Sequence, residues 1–391
     1  MNIQWGGETC HRYRDPASGA WVIQLTCGAT NNCNIYGEQP YCSPDGRYVA
    51  IERFHDPSFE PEAMLLVADL HRFRLGLLAR DVYSHNRPCN NAFTEFIYYW
   101  TVQDELKRIS LVTGESRVMF TDKAEGVIRG GGSVAPDHKH MVFGMYLPGP
   151  RPVVMRYELE TGKKEIFYEH PEIVNPHPIW EPVTGKYVMI MRNHGSKFTA
   201  DGKLDKVVGD YGPTLFLVNV DTGKEVPIPA GQPHTARIGH QCFVPGTNRA
   251  CFTAWWNMDT WEGDPRHPDT NVLTAGPGDE KATPFHCPEH RGNHIAVSRC
   301  GTYFVIDSYE GCTWDKNGVI KPMALVVGNL KTGKYRILVS STGASGGGNQ
   351  LTHPHPYITT DNRHVVFSSD GFGTPHVFAS EMTPEFLASL G

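Results

Sequence analysis

Apolar runs of four or five residues, each preceded by a turn, recur along the whole chain. They include Tyr48 to Ile51, His140 to Phe143, Tyr187 to Met191, Arg249 to Thr253, Tyr303 to Ile306 and His364 to Phe367. Runs this short, bounded by turn residues, predict β-strands rather than helices. The preceding turns are variations on one theme: Ser43-Pro44-Asp45-Gly46, Ala135-Pro136-Asp137-His138, Glu181 to Gly185, Val244 to Thr247, Ser298 to Gly301 and Thr359 to Asn362. A second signature closes the next hairpin at Thr113-Gly114, Thr161-Gly162, Thr222-Gly223 and Thr332-Gly333. Phe93 to Trp100 forms a weaker seventh instance.

A multi-strand unit repeating every ~40 to 60 residues is the mark of a β-propeller. The expected fold is all-β, with seven blades in a single domain over residues 1–391. Only one strand, Pro375 to Ala379, follows the last apolar run. The turn Asp15 to Gly19 and the run Ala20 to Leu25 resemble the missing remainder of that unit. The N-terminus is therefore expected to complete the last blade, which leaves no long open sheet edge. Two β-sandwiches would also be all-β, but they do not demand this repetition.

Composition agrees, with 40 glycines, 29 prolines and 40% hydrophobic residues in 391. A net charge of −6 offers no basic footprint for nucleic acid or an anionic membrane. No stretch approaches the ~18 apolar residues of a membrane span, and the start Met1 to Gly7 lacks a basic region followed by an apolar one. Ten cysteines without CxxC spacing read as reduced, mostly buried thiols. A cytoplasmic setting is the expectation; oligomeric state is not encoded in any of these features.

Candidate chemistry concentrates at His353-Pro354-His355-Pro356, with Gln350 just ahead. A residue before proline is pushed toward extended backbone, where positions two apart share a side, so both imidazoles are expected to emerge together. In a propeller the loops leading into the innermost strands converge on one mouth. Those loops carry Asn34 and Tyr36, Asn90 and Asn91, Gly130 to Gly132, His177, His240 and Gln241, His294, then Gln350, His353 and His355. Singly, such histidines also serve as hydrogen-bonded channel residues. Together, His294, His353, His355 and Gln350 make an N3O set that suits Mn, Fe, Co, Ni or Zn. His240 and His177 are then candidates for acid/base work. His286, Cys287, Glu289 and His290 contain similar residue types, but their spacing is irregular and a solvent loop is expected there.

At this point the chain resembles the oligogalacturonate lyases. The resemblance rests on Tyr13-Arg14-Asp15-Pro16, Asn34 to Gly46, Gly239-His240, Asn293-His294 and above all Gln350 through Asp370. It implies a seven-bladed propeller with a divalent metal, usually manganese, held by Gln350, His353, His355 and His294, and with His240 as the base. It also implies cleavage of short pectin fragments by β-elimination in the cytoplasm. The family's substrate-contacting arginine aligns with Thr214, so its role would pass to Arg192 or Arg237.

Elimination from a uronate needs a group to take the weakly acidic proton beside the sugar carboxylate, and something to stabilise the charge that builds there. Histidine and a divalent metal supply these two functions. The leaving oxygen would take a proton from water or from a nearby group such as His177 or His194. The expected substrate is an acidic oligosaccharide; a metal-dependent hydrolase or epimerase, or a non-catalytic glycan- or protein-binding propeller, is the alternative.

Overall fold

The computed structural model describes every residue except 1–2, 9–10, 37–38, 56–61, 85–87, 91–92, 123–125, 200, 257–263, 309–322 and 347–349. Asn91, Cys10 and Cys312 thus lie outside the described residues. Seven antiparallel sheets follow one another along the chain, each running from a short inner strand outward, and a small hairpin, Lys197–Phe198 with Leu204–Lys206, projects from the fourth. This is the seven-bladed propeller.

The turn chemistry explains the repeat. The fourth residue of the turns at Gly46, His138, Gly301 and Asn362 donates its N–H to the first residue's carbonyl at 2.9 Å. In all four that fourth residue has φ between 56° and 71°. This left-handed backbone suits glycine best and asparagine next. Each turn delivers the chain into the second strand of its blade, which runs further than its apolar core suggested: Tyr48–Phe54, His140–Leu147, Tyr187–Asn193, Arg249–Trp255, Tyr303–Ser308 and His364–Ser369. The extensions include charged or polar residues such as Glu52, Arg192 and Asp307, which end a hydrophobic pattern without ending the strand.

Closure follows the expectation and adds to it. Trp21–Gln24 pairs with His376–Glu381 in the seventh blade. A further strand, Arg12–Arg14, lies outside it, with both arginines over the Trp21 ring. Gln4–Gly6 pads the outer edge of the first blade. Segments of three residues are too short to show a strand period, so neither was legible as a strand. Most of the described cysteines are buried, while Cys300 is exposed.

Candidate metal centre and active site

The inner strands bring the expected histidines to one mouth. The ligand atoms of His294, His353 and His355 lie within 4.8 Å of one another, the one such histidine, cysteine or acidic group of three among the described residues. Gln350 sits in a short 3-10 turn, Gln350–Thr352, and its Oε1 is 3.1 Å from His355 Nε2. The His240 ring centroid is 4.1 Å from that of His294. Tyr36 stands among them, its centroid 4.7 Å from His355, 5.9 Å from His177 and 6.2 Å from His240. Beside this group is a cavity of about 300 Å³, walled by Tyr36, Gly131, Gly132, Asn175, His177, His240 and Gln350.

The two histidines of the loop do not both follow extended backbone. His355 has φ 42°, and His177, which also precedes a proline, has φ 41°. A non-glycine residue there costs on the order of 1–3 kcal/mol and persists only where its surroundings hold it. For His355 the holder is Asn34. Fully buried, it donates its amide to the His355 carbonyl at 2.7 Å and to that of Pro354 at 3.4 Å, while its Oδ1 accepts from Ser368 at 2.8 Å. Asn34, expected as a substrate contact, therefore braces the loop and is not among the residues that wall the cavity. Asn34→Ala should cost about 1–3 kcal/mol of stability by leaving buried carbonyls unpaired. It should also weaken metal affinity; denaturant melts and metal titration of the same protein would show whether the two losses travel together.

The donor set fits a divalent ion. His294 Nδ1 is 2.6 Å from Asp307 Oδ2, and the His294 backbone N–H donates to Asp307 Oδ1, also at 2.6 Å. Burial raises the Asp307 pKa well above the carboxylate range while lowering that of His294, so the pair shares one proton between Oδ2 and Nδ1; on Nδ1 it leaves the Nε2 lone pair free, as in carboxylate-supported metal histidines. Burial, with His353 beside it, keeps the His294 pKa well below the ordinary histidine range, so the ring is neutral and able to coordinate. Asp307 was not foreseen.

His240 is tied differently. Its Nδ1 meets the Asn293 carbonyl at 3.1 Å, which makes Nδ1 the protonated nitrogen and leaves Nε2 to accept a proton. Burial first, then the nearby His294 and His177, hold its pKa well below the usual value.

Three expected substrate contacts are placed elsewhere. Arg192 lies over Phe216, and its Nη2 is 2.8 Å from both Glu225 and the Tyr168 hydroxyl, so its charge is engaged toward the outer edge of the fourth blade. His194 Nε2 is 2.9 Å from Thr214 Oγ1 and its Nδ1 is 3.3 Å from Glu172. Neither residue lines the cavity. Arg237 donates to the Asp210 carbonyl at 2.7 Å and crosses Gly212, where a Cβ would meet its Cγ at 2.3 Å. It does not line the cavity either, but it makes no ion pair among the described residues. The insertion carrying Cys287 is not simply a solvent loop, because Cys287 is fully buried.

Fold and site together define a propeller with a histidine-rich centre of metal-binding type in its mouth. No protein-family model matches the chain. An oligogalacturonide lyase of Pectobacterium atrosepticum is 44% identical over 248 residues, and an oligogalacturonate lyase of Dickeya dadantii is 38% identical over 251. Each alignment covers 61% of this chain, and the chain spans 57% of the length of these curated relatives. Over those stretches the chain is similar in sequence to these two lyases. A solved oligogalacturonate lyase in complex with manganese matches 99% of this chain and 100% of its own at TM-score 0.74 and 17% identity. Another, from Vibrio parahaemolyticus, matches 99% and 98% at TM-score 0.72 and 18% identity. At such identities the match speaks for the fold, and it extends the likeness well beyond the aligned sequence.

Proposed function

We propose that this protein is a metal-dependent lyase that cleaves oligogalacturonate or a closely related uronate oligosaccharide by β-elimination. The observation that carries the proposal is the contact between two differently prepared histidines: His294, a carboxylate-supported ligand, and His240, a neutral imidazole at the cavity wall. The names of the sequence relatives support the substrate class. The manganese in the structural neighbour supports manganese as the ion, and the N3O set would accept it.

Gln350, His294, His353 and His355 would hold the ion, which supplies Lewis-acid stabilisation of the charge developing on the sugar carboxylate. His240 Nε2 takes the proton from the carbon bearing that carboxylate. The C–H electron pair becomes the new 4,5 double bond, and the C4–O pair departs with the leaving oxygen. His177, on the same cavity wall, would return a proton to that oxygen. Tyr36 offers a ring face against which a sugar can pack. Of the two arginines expected to meet substrate, Arg237 makes no ion pair among the described residues and would meet a carboxylate of a sugar that reaches beyond the cavity wall.

Metal-loaded protein mixed with di- and trigalacturonate should generate the ultraviolet absorbance of an unsaturated uronate, and chelator should abolish it. A hydrolase or epimerase would consume substrate without that absorbance, and a binding propeller would leave it intact. Either result across a uronate panel sinks the proposal.

A further inference from the structure

We propose that Thr253 is a positioning residue for His240; the inference rests on His240 being the base. In the fifth blade Ile238 pairs with Ala254 and Gln241 with Phe252, so Gly239 and His240 stand together opposite Thr253 alone. This is a β-bulge, a device that re-aims side chains beside active sites. The Thr253 hydroxyl accepts the His240 backbone N–H at 3.0 Å and donates to the Asn293 carbonyl at 2.7 Å. The same carbonyl receives His240 Nδ1. One hydroxyl therefore fixes both the backbone that carries the imidazole and the acceptor that sets its tautomer. Gly239 makes room for it, since a Cβ there would lie 2.7 Å from Thr253 Oγ1 and 3.0 Å from the Trp255 ring.

The sixth blade repeats the arrangement with one change. Gly292 pairs with Ser308 and Ile295 with Ile306, leaving Asn293 and His294 opposite Asp307, whose carboxylate accepts the His294 N–H. The residue facing the bulge thus holds the histidine's backbone in both blades. Asp307 also reaches the ring and prepares a metal ligand; Thr253 stays on the backbone and leaves the ring to a carbonyl. The identity of this opposing residue distinguishes the two histidines.

Thr253→Val removes the hydroxyl at nearly constant volume. It should lower kcat by about 10- to 100-fold through misplacement of the base, with KM and bound metal within about twofold of wild type. Thr253→Ser, which keeps the hydroxyl, should restore most of kcat. If the valine protein fails to fold, Thr253→Ala carries the same readouts. Wild-type kcat in the hydroxyl-free variant beside an inactive His240→Ala overturns the inference alone. So does a serine variant as slow as valine, or a loss confined to KM or metal content. An active His240→Ala overturns the base assignment, and the inference with it.

Discussion

Alanine at His353 is expected to give a folded protein that binds no stoichiometric divalent ion and whose kcat/KM is down by about 10³-fold. Lewis-acid stabilisation contributes several kcal/mol, and about 4 kcal/mol corresponds to three powers of ten in rate. His353 is the suitable probe because it is only partly buried, whereas His294 is buried against Asp307 at 2.6 Å. Removing His294 would leave a buried carboxylate without its imidazole, and a loss of stability would obscure the loss of chemistry. Elemental analysis and the absorbance assay measure the two halves of the prediction. Chelation of wild-type protein should reproduce the rate loss and lower Tm, since an ion at a hundredfold its Kd stabilises by about 2.7 kcal/mol. The His353→Ala protein should melt at the same temperature with or without chelator. Full metal content in that variant would remove His353 from the ligand set.

The propeller was legible because its turns are chemical. Ser43 to Gly46 and its counterparts need a left-handed fourth position, and the sequence supplies glycine or asparagine at three of the four turns described and histidine at His138. The clustering of the three histidines was legible because position in the repeat stood in for position in space. The side chains that prepare the site were not. The apolar run read as ending at Ile306 hides Asp307, the next residue of the same strand. Thr253 was visible only as a strand residue, because a strand glycine such as Gly239 can mark a bulge but the residue opposing it emerges from register alone. Asn34, Arg192 and His194, expected as substrate contacts, are not among the residues that wall the cavity. Nearness in the chain to the mouth gave their loops and strand ends correctly but not the direction of their side chains. Arg192 alternates with its neighbours along Tyr187–Asn193 and is drawn outward by Glu225, a partner 33 residues away that no local pattern announces.

His240→Ala should keep its metal and still lose about 10²- to 10⁴-fold in kcat, the usual contribution of a positioned base. The two variants are thereby separable, since His353→Ala fails with the metal and His240→Ala fails beside it. The pH dependence adds a sign. A base works deprotonated, and burial together with His294 and His177 holds the His240 pKa well below 6.5. More than half of His240 is therefore already free imidazole at pH 6.5, and the acidic limb of kcat/KM should fall at lower pH than for an ordinary histidine. A cation held by the neighbouring histidines would push the same way, disfavouring the charged imidazolium further. The low pKa has a chemical cost, because a weaker base has less driving force to remove a carbon-bound proton, which makes stabilisation of the developing carboxylate charge the more necessary partner. An acidic limb at or above pH 6.5 that persists in His240→Ala would assign the proton transfer to another group, with His177 the next residue on the cavity wall to test.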